Sequence, residues 1–356
     1  MTPFRALRLI VLFTALFAIL RPAAAENVTI ARAIEGFIRP AYAQFDASAA
    51  RLEGAMNTLC ERPSGDVLAA ARADFVDLVG AWSRVEIIRF GPVTEQNRLE
   101  RILFWPDRKG IGLKQVQAAL ADRDPAAADP AALKDKSVAV QGLGTLEFIL
   151  FGTGSEELSA EGDPYRCAFG RAVATNLATM AREIAASWND PQGISRDWAN
   201  PGDQNPLYRN DDEAMTELFN VFVHGLEMVR DVRLNGFLGE TPDKDRPRQA
   251  IFWRSGATGL SLKGNLDGQR DLFGVSGLGD GLPSDSAWIA DSVAFEYRTI
   301  DTMLDGIDVA AALTDEAGRS RLKSVRLITS HLSELFGVNL AAALGLSAGF
   351  SSLDGD

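Results

Sequence analysis

Apolar positions recur three and four residues apart over long stretches of this chain, and the strict alternation that marks half-buried strands is scarce. That spacing predicts helices over residues 28–60, 65–90, 112–122, 129–152, 167–188, 211–235, 285–310 and 315–345. Segments rich in Gly, Pro and Asp, such as RPSGD, WPDRKG and GTGSEELSAEGDP, interrupt them and turn the chain. The stretch from Ile251 to Pro283, with a glycine every few residues, reads as the least regular part and is long enough to be a functional loop. A linker at residues 153–164 separates two halves, each with the length and helix content of a four-helix bundle. The expected fold is all-α, with two bundle-like domains, 26–160 and 161–356, related by duplication.

The first 25 residues read differently. Arg5 and Arg8 precede an apolar run from Leu9 to Leu20, and Ala23-Ala24-Ala25 then supplies the small residues that a signal peptidase recognises. The run is too short to span a bilayer, and no cysteine near the cleavage site could take a lipid. The expectation is a periplasmic protein, cleaved after Ala25, whose mature chain has neither a lipid anchor nor a transmembrane helix. Export also bears on Cys60 and Cys167, the only cysteines. In an oxidising compartment they read as one structural disulfide between two helix ends, with two buried free thiols as the alternative.

Charge and composition narrow the chemistry. The chain has 36 basic and 48 acidic side chains, a formal charge of −12, and removing residues 1–25 takes three arginines and no acid, giving −15. This acidic balance leaves little electrostatic basis for gripping a phosphate backbone, so no nucleic-acid partner is expected. His224 and His331 are the only histidines, so zinc sites of three histidines or four cysteines are excluded by number. No GxSxG elbow and no Gly-rich phosphate loop occurs in a strand-turn-helix context.

A few polar residues lie where the helical wheel is apolar. In ADFVDLVGAWSRVEIIRFGP, Phe75, Leu78, Val79, Trp82, Val85 and Phe90 form one arc, and Glu86 and Arg89 fall inside it. They read either as a mutual i, i+3 ion pair at the rim of the core or as part of a site. Beyond that helix, Trp105 and Asp107 sit at a turn. In SVAVQGLGTLEFILFG the wheel is apolar almost all round, so Glu147 is expected to be buried. A buried carboxylate must be paired, coordinated to a metal or protonated. It is either salt-bridged to Arg89 or another arginine, or functional. Gly142 and Gly144, which weaken this helix, suggest a close backbone approach or a small cavity beside it. His224 and Glu227, at i, i+3 in FVHGLEMVRD, could reach one cation but lie on a stripe opposite Leu218, Phe222 and Val229.

These stretches together resemble the imelysin-like family of bacterial envelope proteins, also known as the M75 peptidases. The resemblance lies in AWSRVEIIRFGP with NRLERILFWPD, in VQGLGTLEFILFG, in LCERP and YRCAFGRAVATNLA around the cysteines, in LEMVRDVRLNGFLG, and in LAAALGLSAGFSSLDGD. It implies an exported all-α protein of two bundles, linked with iron acquisition, and a site at the family's GxHxxE motif. Gly142 and Glu147 occupy the Gly and Glu positions of that motif, but its histidine position is Gly144.

Two functions follow as expectations. The first is a periplasmic binding or accessory protein of iron uptake without peptidase activity. Its cleft would be lined by Trp82, Glu86, Arg89, Trp105, Asp107, Gly142, Gly144 and Glu147, and its partner would be iron, an iron-bearing ligand or an envelope iron-uptake protein. The second is a metal-dependent peptidase of the imelysin type, with Glu147 as ligand or general base. Glu86, Glu147, His224 and Glu227 are the candidate ligands for iron or another divalent or trivalent metal.

Overall fold

The structure is a computed structural model that describes residues 23–160 and 162–346. Most of the expected signal segment, residues 1–22, and the last ten residues of the terminal motif lie outside the described residues. Among the described residues the long elements are all helices, and no strand forms.

Helix α1 runs without a break through Ala23–Ala33, a π turn at Ile34–Ile38 and Arg39–Glu61. Pro40, which has no N–H to donate to the preceding turn, stands one residue beyond Arg39, the residue that closes that π turn. Then come α2 (Gly65–Val85), α3 (Ile111–Asp122), α4 (Leu143–Phe151) and α5 (Pro164–Asn189). Helix α6 (Asp211–Glu227) continues through a π segment at Met228–Leu234, and α7 (Thr258–Ser276), α8 (Trp288–Leu304) and α9 (Glu316–Glu334) follow. Several starts are capped by the polar residue that the chain places just before them. The side chain of Ser64 accepts from Val67 N at 3.2 Å, that of Asp163 from Arg166 N at 3.1 Å, that of Asn210 from Glu213 N at 2.9 Å and that of Asp315 from Gly318 N at 2.7 Å.

Helices α1, α2, α4 and α5 pack together, as do α6, α7, α8 and α9. The groups meet where α2 lies along α7, and the N-terminal stretch of α1 packs on α6 and α7. Their buried apolar side chains form one contiguous core. The Cys60–Cys167 disulfide ties the end of α1 to the first turn of α5, closing a sequence separation of 107 residues. Glu316–Leu344 is long and apolar enough to cross a membrane by length and composition, and it packs on α6 and α8 through Leu322, Val325 and Leu332.

Three expectations need correction. Helix α2 stops at Val85 rather than continuing to residue 90, because Ile87 and Ile88 turn into the core ahead of Gly91 (φ +68°) and Pro92. The 129–152 helix is broken into short turns, and only Leu143–Phe151 is a regular helix within it. The Gly-rich segment is not a loop, for α7 occupies most of it. Its glycines are contact points. A Cβ on Gly268 would stand 2.2 Å from Arg84 O, one on Gly264 2.9 Å from Ser83 Cβ, and one on Gly259 2.4 Å from Ile307 O. Glycine weakens an isolated helix, but here it lets α7 approach α2 backbone to backbone, and packing sustains the helix.

Candidate functional site

One cavity of about 670 Å³ opens between the two groups of helices. Four stretches wall it: the turn after Phe104, the start of α4, the π segment of α6, and the strained connection that leads into α7.

Each wall has a local cause. Asp107 caps α3 with both oxygens, accepting from Ile111 N at 2.6 Å and Leu113 N at 3.2 Å, and so holds Trp105 and the cis Trp105–Pro106 bond at the rim. Gly142 starts α4 where the chain crosses the end of the Arg98–Ile102 turn, and a Cβ there would stand 2.2 Å from Ile102 O. Gly144, in contrast, would meet nothing within 4 Å. Its missing side chain is part of the cavity.

Glu147, one turn on, is 5% exposed. Its Oε1 accepts from Ser255 N at 3.0 Å and Ser255 Oγ at 2.9 Å, while Oε2 stands 4.0 Å from Arg254 Nη1. Burial pushes its carboxyl above the usual carboxylate range, more than the Ser255 donors and Arg254 pull it back. These bonds brace the loop ahead of α7, in which Phe252 takes a left-handed φ of +53°. Ala257 N donates to Phe252 O at 3.1 Å, and Ser255 Oγ, whose proton goes to Glu147, lies 3.1 Å from the same oxygen. The braced loop presents Trp253 and Arg254 to the cavity. The Arg254 guanidinium stands 4.5 Å from the Trp253 ring centre and 5.4 Å from that of Phe148. Burial pushes Arg254 below the usual arginine range, and Glu147 offsets part of this.

Behind Trp105 lies a buried polar cluster. Glu86 is inside the protein, but its partner is Arg233, which is 1% exposed and donates to Glu86 Oε2 through Nη2. Arg233 Nη1 also donates to Ser261 Oγ at 2.6 Å, and its guanidinium lies 5.7 Å from the Trp105 ring centre. Asn265 Nδ2 completes the cluster by donating to Ser83 O at 2.6 Å and Glu86 Oε2 at 3.3 Å.

The structure thus brings Trp105, Asp107, Gly142, Gly144 and Glu147 to one cavity and leaves the other named residues off its lining. Trp82 is fully buried against Phe45, with ring centres 5.1 Å apart. Arg89 lies beyond the end of α2, exposed, with Nη1 3.8 Å from Met228 Sδ, and so pairs with neither Glu86 nor Glu147. His224 and Glu227 are half-buried on α6, the His224 Nε2 having no hydrogen-bond partner among the described residues. No three His, Cys, Asp or Glu side chains converge to hold a metal ion among the described residues. The proposed set of Glu86, Glu147, His224 and Glu227 therefore does not assemble, and the residues of the cavity do not fit a resident metal.

Residues the sequence analysis missed carry much of this site. Arg233 had a signal, since it continues the apolar stripe Phe222, Leu226 and Val229. Trp253, Arg254 and Ser255 had none beyond two large side chains in a segment read as irregular.

The imelysin model of the M75 peptidases matches residues 38–335. The chain belongs to the imelysin family. An imelysin-like protein from Psychrobacter arcticum shares the fold with a TM-score of 0.73 at 19% identity, over 92% of this chain and 98% of that one. A Parabacteroides distasonis protein described as a candidate iron-regulated protein A precursor does so at 0.68 and 13%, over 90% and 95%. Iron-regulated protein A of Synechococcus elongatus is 26% identical over 224 residues, 62% of this chain. The match spans 57% of that relative's length. Where the resemblance implies the motif's histidine, this chain has Gly144, and a Cβ there would face open space.

Proposed function

We propose that this imelysin-family chain is an exported binding or accessory protein of iron uptake, without peptidase activity, and that the cavity around Glu147 is where its iron-bearing ligand sits. The names of the relatives from Synechococcus and Parabacteroides support the link to iron. One observation carries the rest. Glu147 already accepts from Ser255 N and Oγ, and the motif position one turn before it is a glycine facing open space. A metallopeptidase needs a water polarised by a bound metal and a free base to take its proton. Here the carboxylate braces a loop, and the charged group that faces its other oxygen is a guanidinium, Arg254 Nη1 at 4.0 Å from Oε2.

The test uses the purified mature protein. Metal content is measured by mass spectrometry, ferric citrate is titrated by calorimetry, and peptide hydrolysis is followed with and without EDTA. Iron binding without chelator-sensitive hydrolysis is the expected result. Chelator-sensitive turnover that disappears in Glu147→Ala would establish the peptidase instead, and failure to take iron in any form would remove the iron role.

A further inference from the structure

The charge of the cavity is at odds with the charge of the chain. Arginines elsewhere in this acidic protein are commonly tied to carboxylates, as in Arg72–Glu156, Arg98–Glu183, Arg209–Glu213 and Arg319–Asp245. The three that line the cavity are not. Exposed Arg108 and Arg248 have no carboxylate partner among the described residues, and Arg254 has only Glu147, at 4.0 Å. The acids in the same lining are already engaged: Asp107 on the N-terminus of α3, Glu147 on Ser255 and Asp231 on Arg230.

Aromatic rings complete the picture. Arg254 is in contact with the rings of Trp253 and Phe148, and Arg248 stands 5.7 Å from the Trp253 ring centre. A guanidinium held by its faces keeps its N–H edge free to donate to an anion, often in a bidentate fork. Trp105 and Trp253, both half-exposed on the lining, offer flat apolar surface beside those edges.

We infer that the cavity recognises an anionic ligand with a flat aromatic part, its carboxylate or phenolate oxygens on Arg254, Arg248 and Arg108 and its ring against Trp253 or Trp105. This rests on the reading that the cavity is the ligand site. Iron then enters as a chelate whose own oxygens hold the ion, because no three side chains among the described residues do.

Binding of four probes to the mature protein tests this, by calorimetry and quenching of tryptophan fluorescence. Salicylate and ferric salicylate carry both ring and charge, salicylamide keeps the ring without the carboxylate, and ferric citrate keeps the charge without the ring. The first two are expected to bind at least about tenfold more tightly than the last two. Arg254→Gln and Arg248→Gln are each expected to weaken ferric salicylate by roughly tenfold or more, while Arg89→Gln, an equal loss of charge outside the cavity, does not. Arg248 is exposed, so its substitution keeps the test open should Arg254→Gln misfold. Equal affinity for salicylate and salicylamide, ferric citrate binding as tightly as ferric salicylate, or arginine variants that bind like the wild type would each overturn the inference. So would no binding of any aromatic probe. In that case ferric citrate uptake in the preceding titration still decides the iron-binding reading on its own.

Discussion

Glu147 shows how one residue can be legible while its role is not. An acid on a helix that is apolar all round has to be buried, and it is. Its partners come from Ser255 and Arg254, 108 and 107 residues away. Arg89, the nearer candidate in the sequence, is outside. Because burial raises this carboxyl, the folded state holds its proton to higher pH than the unfolded chain does. Ionising it as pH rises through that window lowers stability, so acidification restores some. Between about pH 7 and about pH 4, the wild type is expected to gain stability relative to Glu147→Gln, measured by urea unfolding at each pH. A carboxylate that held a metal would behave in the opposite sense, with the wild type losing ground on acidification.

Among the elements, α7 departs most from expectation. Three contact glycines made Thr258–Ser276 look like a loop, since glycine lowers helix propensity by up to about 1 kcal/mol per position. Packing outweighs propensity here, because Gly264 and Gly268 let α7 touch α2 and Gly259 lets it approach Ile307. Gly268→Ala would place its Cβ 2.2 Å from Arg84 O and is expected to cost about 1–3 kcal/mol or more in denaturant unfolding. Gly144→Ala, which meets open space in the first turn of α4, is expected to be neutral or to stabilise by up to about 1 kcal/mol. Equal effects at the two positions would show that propensity and not contact governs both. The glycine also matters to the site, since the loop that carries Trp253 and Arg254 leads straight into α7 and is placed by it.

At the scale of the whole molecule, the shared core holds the two groups of helices together, and the disulfide braces the first of them. Cys60 and Cys167 join α1 to α5, whose packing forms much of the first group. In the chain-entropy account, closing a loop of about 107 residues stabilises the fold by roughly 4–5 kcal/mol. Unfolding in denaturant with and without reductant should show a loss of that order, and Cys60→Ala with Cys167→Ala should reproduce it without reductant. The first helix belongs to both groups, with Ile30, Ile34 and Phe37 near α6 and α7 and Phe45, Leu52 and Met56 near α2 and α5. The cavity opens where the groups meet, which is why its lining is drawn from residues 104–116, 138–148 and 231–254.

The hydrophobic period and the helical wheel were enough to determine an all-α chain, the course of most of its long helices and the burial of Glu147. These depend on neighbours within a turn or two. The partner of Glu86, the helix hidden in the Gly-rich segment and the arginines of the cavity were decided only by the tertiary structure. Each rests on a contact between residues that are 100 or more positions apart or between two backbones, and the energy of such a contact leaves no period in the sequence.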